Sequence, residues 1–141
     1  MREVIVQGEA SGFAQQILAG GHALTADEPI DSGGTDIGPP PYDLLLAALG
    51  ACTSMTVGMY ARRKSWPLES VTVRLRHSRV HETDCATCES EDGMLDRIER
   101  DLEFIGALND EQRAKLVEIS NKCPVHRTLS SEIDIQTRLI E

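Results

Sequence analysis

Residues 41–64, PYDLLLAALGACTSMTVGMYARRK, decide the fold. No charged side chain lies between Leu44 and Ala61, and Leu, Ala, Met, Val and Cys recur on every turn. A helix apolar all the way round has no face for solvent, so this stretch predicts a central helix buried on all sides, with Cys52 at its middle. Its ends are marked. Pro39, Pro40 and Pro41 close the preceding loop and supply a first-turn proline, Asp43 suits the positive N-terminus, and Arg62, Arg63 and Lys64 suit the negative C-terminus. The apolar run is at the lower edge of membrane-spanning length. Gly50, Thr53, Ser54, Thr56 and Gly58 dilute it, and charged amphipathic segments follow, so the core of a soluble domain is expected and a membrane is not.

Working outward, residues 2–8 (REVIVQG), 13–20 (FAQQILAG) and 21–28 (GHALTADE) predict three short strands. Gly20 and Gly21 make the turn of an antiparallel meander. Residues 29–41, PIDSGGTDIGPPP, predict a loop leading into the central helix. Beyond that helix, SVTVRLRHSRVH alternates strictly and predicts a half-buried strand. Val71, Val73, Leu75 and His77 lie on one side; Thr72, Arg74, Arg76 and Ser78 on the other. Residues 96–105 predict a second strand, with Arg97, Glu99, Asp101 and Glu103 placed to pair with the basic face of the first. A helix capped by Asn109 or Asp110 follows, with Leu116, Val117 and Ile119 as its core stripe and an end near Asn121. A short helix begins at Pro124, and EIDIQTRLI predicts a final strand on the alternation of Ile133, Ile135, Thr137 and Leu139. The order is that of an α+β domain with antiparallel sheets.

Composition sets bounds. With 141 residues, 40% of them apolar, the chain suffices for one compact domain with a real core. A net charge of −9 argues against nucleic acid as a partner, because phosphate binding needs a basic patch. The charged, β-like N-terminus has no secretory pattern, so a cytoplasmic setting is expected, where cysteines more often carry chemistry than structural disulfides.

Four cysteines stand in two groups. Cys52 within a buried helix is either a small core hydrophobe or a nucleophile. Cys123 precedes Pro124, which puts it at a helix N-cap, either as an ordinary cap or as a thiol whose anion the free amides stabilise. His126 is spaced to reach back and share a proton with it. The two thiols, one buried and one capping, are candidates to meet as a reversible disulfide. His81, Cys85 and Cys88 make half of a zinc-ligand pattern in an acidic loop over residues 81–93, with Asp84 and Glu89 nearby. A metal site, a redox pair and two inert thiols all remain open there.

The stretch GPPPYDLLLAALGACTSMTVGMYA, followed by NKCPVHRTL, resembles the OsmC/Ohr family of small bacterial thiol-dependent peroxidases. HALTADEP and the pattern GG-x-D-x-GP-x-PYDLLLAALGAC place the likeness with its OsmC-like branch. The resemblance implies an intertwined homodimer, curved antiparallel sheets around paired central helices, and an active site at the subunit interface. It also implies Cys52 as the peroxidatic thiol and Cys123 as the resolving thiol, a small organic hydroperoxide as substrate, an external dithiol as reductant, and no metal or organic cofactor. In the family's best-known peroxidases a Glu ten residues before the first cysteine holds an activating Arg from an earlier loop. Here that position is Tyr42, with Asp43 beside it, and Arg2 is the only arginine before Cys52. Arg127, or Arg62 and Arg63 supplied by the partner subunit, are the candidate substitute cations, with His22 behind them. Met55, Met59 and Leu49 predict an apolar pocket around Cys52.

Overall fold

The structure, a computed structural model, describes residues 2–81 and 93–140. It consists of two compact units whose boundary falls within the long helix, between Ala47 and Ala48.

The first unit holds the meander. Strands β1 (Val4–Gly8), β2 (Gln15–Ala19) and β3 (His22–Ala26) form an antiparallel sheet in sequence order. Ala19 pairs with His22 across the two-glycine turn, where Gly20 takes the positive φ of 64° that the turn requires. The loop after β3 contains a single 3-10 turn, Ile30–Ser32, and is tied together by Asp27, whose buried carboxylate accepts from four donors. These are the backbone N–H groups of Glu28 (2.7 Å), Thr35 (3.1 Å) and Ile37 (3.3 Å), and the Thr35 hydroxyl (2.6 Å). Together they hold the carboxyl below its ordinary value: the Thr35 hydroxyl contributes most, burial opposes it, and the three amides add to it.

Helix α1 (Pro41–Arg63) occupies the predicted stretch. Among the described residues it is the one helix long and apolar enough to cross a membrane, a property that core helices of soluble proteins share. It is not buried on all sides. Leu49, Gly50, Thr53, Val57 and Ala61 are buried, whereas Met55 is 72% and Met59 42% exposed. The reason is geometric: one chain supplies cover for one helix face only, and the apolar composition of the other face exceeds it.

In the second unit β4 (Leu68–His81) and β5 (Met94–Gly106) form a long antiparallel hairpin. Its register pairs Val71 with Phe104, Val73 with Leu102, Leu75 with Arg100 and His77 with Ile98, which is the half-buried face. The other face carries the expected charge ladder, Arg74–Glu103 at 4.0 Å and Arg76 with Glu99 (3.3 Å) and Asp101 (3.0 Å). These pairs are more than half exposed, so they fix register more than they add stability. Helix and hairpin come close at Gly50, where an added Cβ would lie 2.8 Å from the Leu75 side chain. Val57, Ala61, Phe104 and Leu116 form the core, bordered by Tyr60, Trp66, Leu68, Val71, Leu102 and Leu108.

Helix α2 (Asp110–Ser120) starts with a full capping box: Asn109 Oδ1 accepts from the Gln112 N–H, and Gln112 Oε1 accepts from the Asn109 N–H. Leu116 and Ile119 are buried, but Val117 is exposed, because it lies about 100° round the helix from Leu116 and farther still from Ile119. Helix α3 (Pro124–Leu129) follows after Cys123. The predicted last strand is absent: residues 132–140 adopt no regular structure and are exposed, Ile135 82% and Leu139 89%. Their alternation provides two faces, but a strand also needs an edge to pair with, and no described strand of this chain pairs with them.

Candidate functional site

Four elements of the second unit converge on the thiols. Cys52 lies half-buried on α1, one residue before the fully buried Thr53. Cys123 is 0% exposed at the N-cap of α3. Both are free thiols, and the Cys52 side chain is among the groups that lower the pKa of Cys123. The burial is the reverse of the expected one: the capping thiol is the enclosed one.

Each sulfur also receives a backbone amide from α3. The Val125 N–H points at Cys52 Sγ (3.5 Å) and the His126 N–H at Cys123 Sγ (3.3 Å). Proline at the first helical position makes this possible, since it has no N–H of its own and leaves the next amides directed at the cap. Burial pushes the Cys123 thiol up, but the His126 amide, the Cys52 thiol, Thr53 and the Arg100 charge outweigh it, and its pKa lies below the ordinary 9.0.

Within this chain the cation tied to the Cys123 side of the site is Arg100, which is not among the cations expected from the sequence; Arg127, Arg62, Arg63 and His22 are exposed. Half-buried on the inner face of β5, Arg100 donates from Nη1 to Thr53 Oγ1 (2.9 Å) and from Nη2 to Asn121 Oδ1 (2.9 Å) and His126 Nδ1 (3.1 Å). Thr53 completes the chain by donating to the Leu49 carbonyl (2.7 Å), and its hydroxyl lies 3.9 Å from Cys123 Sγ. All three acceptors are neutral, and among the described residues no carboxylate pairs with Arg100. The signal for Arg100 is present in the sequence: it is the one charge on the otherwise apolar face Ile98, Arg100, Leu102, Phe104.

His126 does not share its imidazole proton with Cys123. Its backbone meets the thiol, while its ring Nδ1 accepts from Arg100, which puts the ring proton on Nε2. Burial and then the Arg100 charge push the imidazole pKa below 6.5, so the ring is neutral. Tyr42 and Asp43 stand exposed on the first turn of α1, in the first unit. His81 ends β4; Cys85 and Cys88 lie outside the described residues. Among the described residues no three His, Cys, Asp or Glu side chains gather as metal ligands.

Arg100 and His126 also line an open cavity of about 440 Å³, together with Leu49, Ile98, Leu129, Asn121, Asp96 and Ser130. Neither sulfur lines it, and of the residues expected around Cys52 it contains Leu49 but not Met55 or Met59. Both methionines are exposed on other parts of α1, and the polar groups of β5, α2 and α3 take their place.

Solved structures share this fold. An OsmC-like protein from Mycoplasma pneumoniae aligns with a TM-score of 0.73 at 19% identity, over 92% of this chain and 87% of that one. An organic hydroperoxide resistance protein OsmC from Legionella pneumophila aligns at 0.66 and 19%, over 92% and 88%. The organic hydroperoxide resistance protein OhrB of Bacillus subtilis aligns at 0.64 and 17%, over 95% and 93%. No curated protein matches the chain. The family model described as OsmC-like protein matches residues 33–138, a span that contains both thiols and Arg100, and the chain belongs to the OsmC-like family.

Proposed function

We propose that the protein is a cysteine-based peroxidase that reduces organic hydroperoxides through Cys52 and Cys123. The observation that carries this reading is that successive amides of α3 point at a half-buried thiol and an enclosed one, on two elements far apart in sequence, with Arg100 tied to the enclosed one through Thr53 and His126. Structural neighbours described as organic hydroperoxide resistance proteins support it.

The two thiols take complementary parts. Cys52 is the more accessible sulfur and attacks as its thiolate, while Cys123 carries the anion that the site stabilises. Cys52 Sγ attacks the peroxide, the O–O bond breaks, and the alkoxide takes up a proton from solvent and leaves as alcohol. Cys52 is then a sulfenic acid, with Cys123 as the thiolate that resolves it. Attack of Cys123 on the Cys52 sulfur forms the disulfide, and the departing hydroxide takes up a proton and leaves as water. An external dithiol restores both thiols. Arg100 keeps negative charge on the pair favourable throughout, the part that a paired Glu and Arg take in better-known relatives.

The active form proposed is a homodimer in the cytoplasm. Its support is the exposed apolar face of α1 and the unpaired alternating segment 132–140, both of which a second copy would cover. A second reading, a ligand-binding OsmC-like protein without peroxidase activity, is favoured by Tyr42, which occupies the position of the activating carboxylate.

Stopped-flow oxidation by cumene hydroperoxide separates the readings. Wild type is expected to be oxidised rapidly and to form a disulfide, Cys52→Ser to lose the reaction, and Cys123→Ser to stop at a dimedone-reactive sulfenic acid. Wild type consuming hydroperoxide no faster than the double variant would sink the peroxidase.

A further inference from the structure

The cavity lined by Arg100 and His126 has a polarity that the peroxide chemistry does not require. Arginine carries five N–H donors, and three of those of Arg100 are engaged in hydrogen bonds. Its remaining donors have no acceptor among the described residues. Because His126 Nδ1 accepts from Arg100, the protonated Nε2 is a further donor on the cavity wall, and because Asn121 Oδ1 is likewise engaged, the Asn121 amide NH₂ is another. Among the described lining residues the one acid, Asp96, is matched by His77 Nε2 at 2.8 Å and by Arg79 at 3.9 Å. Among the described residues the wall therefore presents an uncompensated positive charge and a surplus of donors. Leu49, Ile98 and Leu129 supply an apolar side to the same space.

We infer that this cavity binds a small amphiphilic carboxylate, its head on the guanidinium of Arg100 and the Nε2–H of His126, and its hydrocarbon body against Leu49, Ile98 and Leu129. A carboxylate fits the guanidinium fork, which offers parallel donors to two oxygens. An apolar body distinguishes this ligand from an inorganic anion, which would leave three hydrophobic side chains facing water. The inference stands whether or not the thiols reduce peroxides, because it rests on the charge and shape of the wall.

Calorimetric titration of the reduced protein with octanoate, octanamide and inorganic phosphate tests it directly. Octanoate is expected to bind at least about tenfold more tightly than the amide or phosphate, the scale of one charge-assisted contact. Arg100→Met, which keeps length and removes charge, is expected to remove that preference. Equal binding of octanoate and octanamide to wild type, or no binding at all, would overturn the proposal, and this comparison holds even if the variant fails to fold. Competition then separates two roles. A carboxylate belonging to the substrate makes octanoate slow single-turnover oxidation by cumene hydroperoxide, and one belonging to the reductant makes it slow only reduction of the disulfide by dithiothreitol. Saturating octanoate that slows neither contradicts a site on the guanidinium that serves the thiols.

Discussion

Asp27 and Arg100 are both single charges held by neutral partners, and they differ in how completely they are satisfied. Asp27 accepts four hydrogen bonds, all from residues 28–37 of its own loop, and its acceptor capacity is filled. Arg100 gathers acceptors from two helices and the end of a third, on Thr53, His126 and Asn121, and keeps donors in reserve beside a cavity. A charge saturated by its own loop shapes the backbone. A charge whose partners come from several elements, and whose capacity is left open, is placed to act on something else.

Substitution at Arg100 bears hardest on this contrast. Arg100→Met should slow oxidation of the thiols by about tenfold or more, the scale of one lost charge-assisted contact. Arg100→Lys should recover part of the rate, since a lysine restores charge but not the fork that spans Thr53 and His126. An unchanged rate in Arg100→Met would make the guanidinium structural, like Asp27.

Asp27→Asn should show the opposite profile: a lower Tm with an unchanged oxidation rate in the folded protein, since none of its partners belongs to the thiol site. Its pH dependence follows from the lowered pKa. Folding is favoured by the ionised carboxylate above the ordinary value of 3.8, and that contribution is lost as pH falls through the lower folded value. The variant should lose this segment of the acid-unfolding curve, which circular dichroism against pH would follow.

A smaller effect is expected at His126. With a folded pKa below 6.5, the neutral ring is preserved on folding, so its contribution is complete above 6.5 and is lost as pH falls through the folded value. NMR titration should place the His126 ring below 6.5. Arg100→Met should move it upward but not fully back, because burial is the larger cause and the charge the smaller. No movement in the variant would separate the ring from the guanidinium.

The same two residues show what the sequence discloses. Periodicity and caps are local, so α1, the register face of β4 and β5, and the Asn109–Gln112 box can be read directly. Cys123 at the cap follows from the single proline after it. Arg100 is harder, because proximity in sequence draws attention to Arg127, Arg62 and Arg63, while the strand register delivers a residue far from either cysteine. Its mark is one arginine on an apolar face. Residues 132–140 illustrate the converse: alternation specifies faces without a partner edge, and the burial of α1 depends on cover that one chain does not provide. The polar cavity was not legible from Met55 and Met59, because helix composition does not say which side meets the cavity.

The thiol pair itself is tested most directly by mapping the cysteines after one equivalent of cumene hydroperoxide, with non-reducing digestion and mass spectrometry. A Cys52–Cys123 disulfide within one chain, formed in wild type and slowed in Arg100→Met, is the predicted product. Both thiols still reduced, or Cys52 oxidised while Cys123 remains free, would contradict the assignment of these two cysteines as a peroxidatic and resolving pair.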